Sequence, residues 1–258
     1  MPVALRSSVA HVTAYEERFA EGQEVVERVL PDGASRLLIV LQRGVASIHV
    51  AGASASPVVL SMRGHMHGLS LTLQPGATLG LFGVPADELA GRTVPWDGLV
   101  SNARRYLSDQ LAAAGDDSKR VGLVLSSLGA MQRPSDPRSR RLVEQAASHL
   151  RAHAGGGSVR ALATAMNLSE RRLQQVFAAQ LGLAPSVWRR LQRLHGTLRM
   201  LRRAEAEAPQ WAQIAVGAGY CDQSHLINEF RALCGLTPRQ FLRRVVSDSS
   251  NTAAGPAG

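Results

Sequence analysis

The chain is poor in three things, and each absence narrows what it can be. It holds two cysteines in 258 residues, Cys221 and Cys234. If their segment is helical they lie about 18–20 Å apart at 1.5 Å per residue, beyond the roughly 7 Å that a disulfide spans. Nothing here needs an oxidising compartment. Long hydrophobic runs are missing too: Leu37–Leu41 and Val121–Leu125 are the longest, far short of the ~20 residues that cross a bilayer. The N-terminus has no signal-peptide core, so a soluble cytoplasmic protein with no membrane partner is expected. Chemistry-bearing motifs are the third lack. No P-loop, nucleophile elbow, H-E-x-x-H or clustered carboxylate pair occurs, and neither enzyme activity nor a cofactor is expected.

What is present is arginine, unevenly placed. The net charge is +9, and Lys119 is the sole lysine. Residues 1–133 hold 12 basic and 12 acidic residues, whereas residues 134–258 hold 17 against 8. The whole excess therefore sits in the C-terminal half, the footprint of a polyanion binder.

That basic half repeats itself. Residues 169–188 read SERRLQQVFAAQLGLAPSVW and residues 222–241 read DQSHLINEFRALCGLTPRQF. At a shift of 53, Leu173 falls on Leu226, Phe177 on Phe230, Gly182 on Gly235, Pro185 on Pro238 and Trp188 on Phe241. A second matching piece precedes each copy, with Leu162-Ala163 corresponding to Ile214-Ala215. Each unit reads as a short helix, a tight turn and a second short helix, the form of a double DNA-binding module. Ser169 and Asp222 stand where N-cap residues belong. Leu173, Val176, Phe177 and Leu181 share an inward face, as do Leu226, Phe230 and Leu233. The opposite faces carry Arg171, Gln174, Gln175 and Ala178 in the first copy, and Gln223, Ser224, Ile227, Asn228 and Arg231 in the second. Gln and Asn can pair with an adenine edge, Arg with guanine, and Ile or Ala can touch a thymine methyl. Between the copies, Pro185 opens a helix to about Arg203 with Trp188, Leu191, Leu194-His195, Leu198 and Leu201 inward, a rod of roughly 27 Å. One DNA turn is about 34 Å, so one chain could set both readers in adjacent major grooves. Gly196 marks a weak point for a slight bend in that rod.

Residues 158–244 resemble the double helix-turn-helix domain of the AraC/XylS family of bacterial transcription regulators. GYCDQSHLINEFRALCGLTPRQF (219–241) matches the family signature at Gly219-Tyr220, Ser224-His225-Leu226, Phe230, Gly235, Thr237-Pro238 and Phe241. The resemblance implies base reading by Arg171, Gln174 and Gln175 in the first unit and by Gln223, Ser224 and Asn228 in the second. Arg172, Arg231 and Arg239 are placed on phosphates. RVLPDGASRLLIVL (28–41), LQPGATLGLFGVPADEL (73–89) and VPWDGL (94–99) resemble the regulatory half of a subgroup of the same regulators.

The expected fold is α+β. Short runs at Val25–Leu30, Leu37–Leu41, Val45–Val50, Val58–Met62 and Leu69–Leu73, cut by Gly and Pro turns, predict a small β-rich barrel- or sandwich-like sensor domain over 1–95. The first twenty residues carry no clear periodicity. Helical spacing through Leu99–Leu111 and Val121–Met131 predicts a linker at 96–133 and a candidate dimerisation segment. The all-α double helix-turn-helix reader follows over 134–246, the boundary set at Pro134–Pro137, and a disordered tail over 247–258. Expected partners are double-stranded DNA, an effector of unknown identity, and, as candidates, RNA polymerase in the nucleoid and a second copy of the chain.

Two alternatives come from other classes. His65-Met66-His67 with His49 resembles the start of a metal-dependent cupin-like enzyme. Such a site needs an acidic ligand soon after the pair, yet no Asp or Glu lies between Asp32 and Asp87; surface or satisfied histidines and no metal are expected. Alkyl-transfer repair proteins share this reader domain but need a reactive cysteine outside it, and none precedes Cys221.

Overall fold

The computed structural model describes residues 7–100, 106–133, 136–152, 158–203 and 209–243. The boundary at Pro134-Ser135 and the tail from Ser247 lie outside them. Among the described residues seven strands come first: β1 Val9–Arg18, β2 Glu24–Val29, β3 Arg36–Gln42, β4 Val45–Ala51, β5 Val58–Arg63, β6 His65–Leu73 and β7 Thr93–Pro95. β1, β6, β3, β4 and β7 form one antiparallel sheet in that order, while β2 and β5 pair in a separate two-stranded ribbon. The domain is β-rich as expected, but the two sheets do not close into a barrel. The ribbon leaves the main sheet where β5 runs into β6 through Gly64 alone. Its Val26, Val58 and Val59 remain half or more exposed.

The sheet buries one face because its strands alternate. Leu37, Ile39 and Leu41 on β3, Ala46, Ile48 and Val50 on β4, and Leu69, Leu71 and Leu73 on β6 point the same way. They meet Leu81 and Phe82 of α1 (Ala77–Phe82), Leu107 and Leu111 of α3 (Leu107–Ala113), and Val124, Leu125, Leu128 and Met131 of α4 (Asp117–Met131). Each Leu, Ile, Val, Phe or Met among them contributes about 1.5–3 kcal/mol when fully buried. Asp116 caps α4 by accepting from Lys119 N at 2.8 Å. Strand β1, α1 and the single turn of α2 (Ala86–Leu89) are additions to the expected elements. β1 lies at a sheet edge with only Val9 buried along its length, so no apolar alternation announces it.

The described C-terminal residues form helices and no strand: α5 Pro137–Ala152, α6 Val159–Ala165, α7 Glu170–Leu181, α8 Pro185–Arg203, α9 Trp211–Ala218 and α10 Gln223–Cys234. A further helical segment covers 238–243. One apolar cluster joins α5, α6, α7 and α8 to the far end of α10, through Leu162, Leu173, Phe177, Trp188, Leu191, Phe230 and Leu233. A smaller one packs α9 and the start of α10 on the end of α8 through Leu201, Ile214, Ala215 and Leu226. Among the described residues no helix is long and apolar enough to cross a membrane.

Candidate nucleic-acid interface

The sequence repeat is a structural repeat at the level of individual hydrogen bonds. In the first unit Leu168 N donates to Ala163 O at 2.9 Å; in the second, Tyr220 N donates to Ala215 O at 2.8 Å. Both turns pass through a left-handed residue, Asn167 at φ 54° and Gly219 at φ 85°, conformations that Asn and Gly tolerate best. Ser169 Oγ then accepts from Arg172 N at 3.1 Å, and Asp222 Oδ1 from His225 N at 2.7 Å. These caps satisfy amides that the first turn of a helix leaves free. Inward positions agree as well: Leu173, Leu226, Phe177 and Phe230 are all fully buried.

With those faces buried, the opposite faces are open. Arg171, Gln174 and Gln175 on α7 are exposed, as are Gln223, Ser224 and Asn228 on α10. Arg172, Arg231 and Arg239 are exposed on the flanks. Ala178 and Ile227, assigned from sequence to the same outward faces, are half-buried instead, Ile227 against the smaller core cluster. At the helix edge an apolar side chain gains more by packing than by facing water.

One site residue escaped the sequence reading. Glu229 stands 53 positions after Val176, on the inward face of α10, and is 8 % exposed. Its carboxylate receives Arg193 Nε at 3.0 Å and Arg193 Nη2 at 2.7 Å, with Arg190 Nε at 3.2 Å. The Arg193 guanidinium also lies 5.3 Å from the Tyr220 ring centre. Burial, with Glu229 beside it, pushes the Tyr220 phenol up to about 12. The ion pair thus ties α10 to the connecting helix where the first unit uses apolar contact. Cys234 is buried and its thiol is pushed up by burial to about 12, while Cys221 is exposed.

The sheet domain bears on this body at the ends of α7 and α10 and at the middle of α8. Gly76 N donates to Gln180 O on α7 at 2.8 Å. Arg28 Nη1 donates to Cys234 O at the end of α10 at 3.2 Å. His195 Nε2 on α8 donates to Pro31 O at 2.9 Å. Ala53 is fully buried in the core of the helical part.

The three histidines do not assemble. His65 and His67 stack with ring centres 6.1 Å apart, whereas His49 pairs with Leu38 on the sheet's other face. The acidic partners absent downstream arrive from elsewhere: Glu16 on β1 lies 2.9 Å from His65 Nε2, and Asp117 on α4 lies 2.9 Å from His67 Nε2. Among the described residues no three His, Cys, Asp or Glu side chains gather at metal-ligating range.

Residues 162–244 match the family model of a helix-turn-helix domain, and residues 2–95 match that of a domain of unknown function. No curated protein sequence matches the chain. Among solved structures it is similar to ToxT from Vibrio cholerae, with a TM-score of 0.47 at 10% identity over 90% of this chain and 97% of that one. ToxT from strain O395 bound to (E)-4-(8-methylnaphthalen-1-yl)but-3-enoic acid gives 0.46 at 11% identity, over 90% and 97%.

Proposed function

From a chain whose residues 162–244 are a helix-turn-helix domain of the AraC type, we propose a sequence-specific transcription regulator that reads two adjacent major grooves. The observation that carries this reading is the repeat itself. Two capped helices expose Arg171, Gln174 and Gln175 on one and Gln223, Ser224 and Asn228 on the other, while both pack on α8. A shared core gives the pair a fixed spacing, which a two-box site requires. The six exposed residues read base edges, where Gln, Asn and Arg discriminate; Arg172, Arg231 and Arg239 hold phosphates and set register.

The sheet domain is the regulatory part, acting through its contacts with the ends of α7 and α10 and the middle of α8. The chain divides at 95, 133 and 246 into sensor, linker, reader and tail, and it works in the cytoplasm. A second copy engages through α3 and α4, where Ala113, Ala114 and Leu123 line an open apolar groove.

Selection of bound fragments from random duplex DNA tests the reading. Enrichment of a motif with two short boxes about one helical turn apart supports it. Salt-sensitive binding without a motif refutes sequence-specific reading.

A further inference from the structure

The sheet domain holds a cavity that the DNA reading does not use. About 170 Å³ opens between the β3–β4 turn, the start of β6 and helices α3 and α4, with Leu41, Arg43, His65, His67, Ala112 and Arg120 among its lining residues. Its polar wall is held in place from several elements. Arg120 Nη2 donates to Ala114 O at 2.6 Å, Nε to Leu111 O at 3.2 Å, and Nη1 to Asp117 Oδ1 at 2.8 Å. His67 shares that Asp117 oxygen, and His65 takes Glu16. Both acids are therefore engaged by residues of the wall itself.

Arg43 is different. No side-chain partner holds it among the described residues, and its backbone stands at φ 50° beside Gly44 at φ 78°. A two-residue hairpin turn of this kind favours Asn, Asp or Gly at its first position. A long side chain there is strained, and such strain gathers at ligand clamps. The turn thus presents an uncommitted guanidinium at a cavity where the Arg120 nitrogens and both histidine Nε2 atoms are already paired.

We infer that this cavity binds a small oxyanion, a carboxylate or a phosphate, held by the uncommitted Arg43 guanidinium at its mouth. A guanidinium fork matches either group bidentately. The volume is below the roughly 300 Å³ at which sites for drug-sized ligands begin, so the ligand is small. Leu41, Val45 and Ala112 leave room for a short apolar substituent. Bound there, the anion joins the hairpin tip to α3 and α4. The inference deepens the regulatory role proposed above, and it is tested without DNA so that the two readings fail separately.

The experiment is titration of the ¹⁵N-labelled full chain with sodium acetate, sodium propionate and sodium phosphate at constant ionic strength, following the amide signals of Gly44, Val45 and Ala112. Saturable shifts there support the site; the tighter of carboxylate and phosphate identifies the source. Arg43→Gly removes the clamp and relieves the left-handed backbone. It should lower affinity about tenfold or more with the melting temperature unchanged or raised. Arg239→Ala should leave these shifts intact, separating them from anions held on the basic helical part. No saturable shifts up to tens of millimolar, shifts that survive Arg43→Gly, or shifts lost in Arg239→Ala would each overturn the proposal.

Discussion

Arg193 and Glu229 form a buried, two-pronged ion pair across α8 and α10, with side chains only 9 % and 8 % exposed. The pair occupies the place that Val176 fills with apolar contact in the first unit. Its worth is asymmetric, because removing one partner strands a charge in the interior. Arg193→Ala should cost about 3–5 kcal/mol, read by urea unfolding, whereas Arg193→Met with Glu229→Leu should recover most of that loss. Equal losses in the single and double variants would mean that packing, not charge, holds α10.

The exposed faces should separate specificity from affinity. Gln174→Ala or Gln223→Ala is expected to cost about 1–3 kcal/mol at the preferred site and to relax the sequence preference. Arg231→Ala should weaken all sequences alike and reduce the salt slope by about one. Filter or fluorescence titrations against cognate and scrambled duplexes at several salt concentrations distinguish the two patterns. A uniform loss from Gln223→Ala would remove it from the readers.

Two glycines predict opposite signs. Gly33 meets the helical part so closely that a Cβ would stand 2.8 Å from the Trp188 ring, at φ 76°. Gly33→Ala should destabilise by about 1–3 kcal/mol and change Trp188 fluorescence as the domains part. Gly196 lies within α8, where a Cβ would meet nothing closer than 3.9 Å. Gly196→Ala should therefore stabilise by roughly 0.5–1 kcal/mol. Thermal melts of both variants check the pair of signs.

The cysteines should behave as differently as their surroundings. Reaction follows the thiolate, and burial raises the Cys234 thiol from 9.0 to about 12. Alkylation at pH 8 should therefore modify Cys221 alone in the native chain and both residues after denaturation. The linkage has a definite sign. A thiol whose pKa is raised on folding, like the Tyr220 phenol raised from 10.0 to about 12, contributes stability that is fully present below its unfolded pKa and is lost as pH rises through the folded one. Stability should thus fall between about pH 9 and 12, and Cys234→Ala should flatten that decline. A native chain alkylated at both sites would contradict the burial of Cys234.

The two helix-turn-helix units were legible in the sequence because their signals are local and doubled. Within each copy the cap (Ser169 or Asp222), the turn (Asn167 or Gly219) and the inward Leu and Phe sit within twenty residues of one another, and the copies repeat at a nearly fixed shift. Glu229 was not, although its place 53 residues after Val176 puts an acid on an inward face. Its partner Arg193 lies 36 residues away on α8, a helix whose pattern is dominated by its apolar stripe. Likewise the acids beside His65 and His67 come from 49 and 50 residues away, on β1 and α4, so a search downstream of the pair could not find them. β1 itself is held by edge pairing with β6, an interaction of backbone rather than of pattern.

The most direct test of two-groove reading is helical phase. Once a two-box site is in hand, five base pairs inserted between the boxes turn one box to the opposite face of the duplex, since one turn takes about 10–10.5 base pairs. With both readers fixed on α8, affinity should fall to that of a site holding a single box. Unchanged affinity on the inserted duplex would show that the two helices do not read together, and the central claim would be wrong.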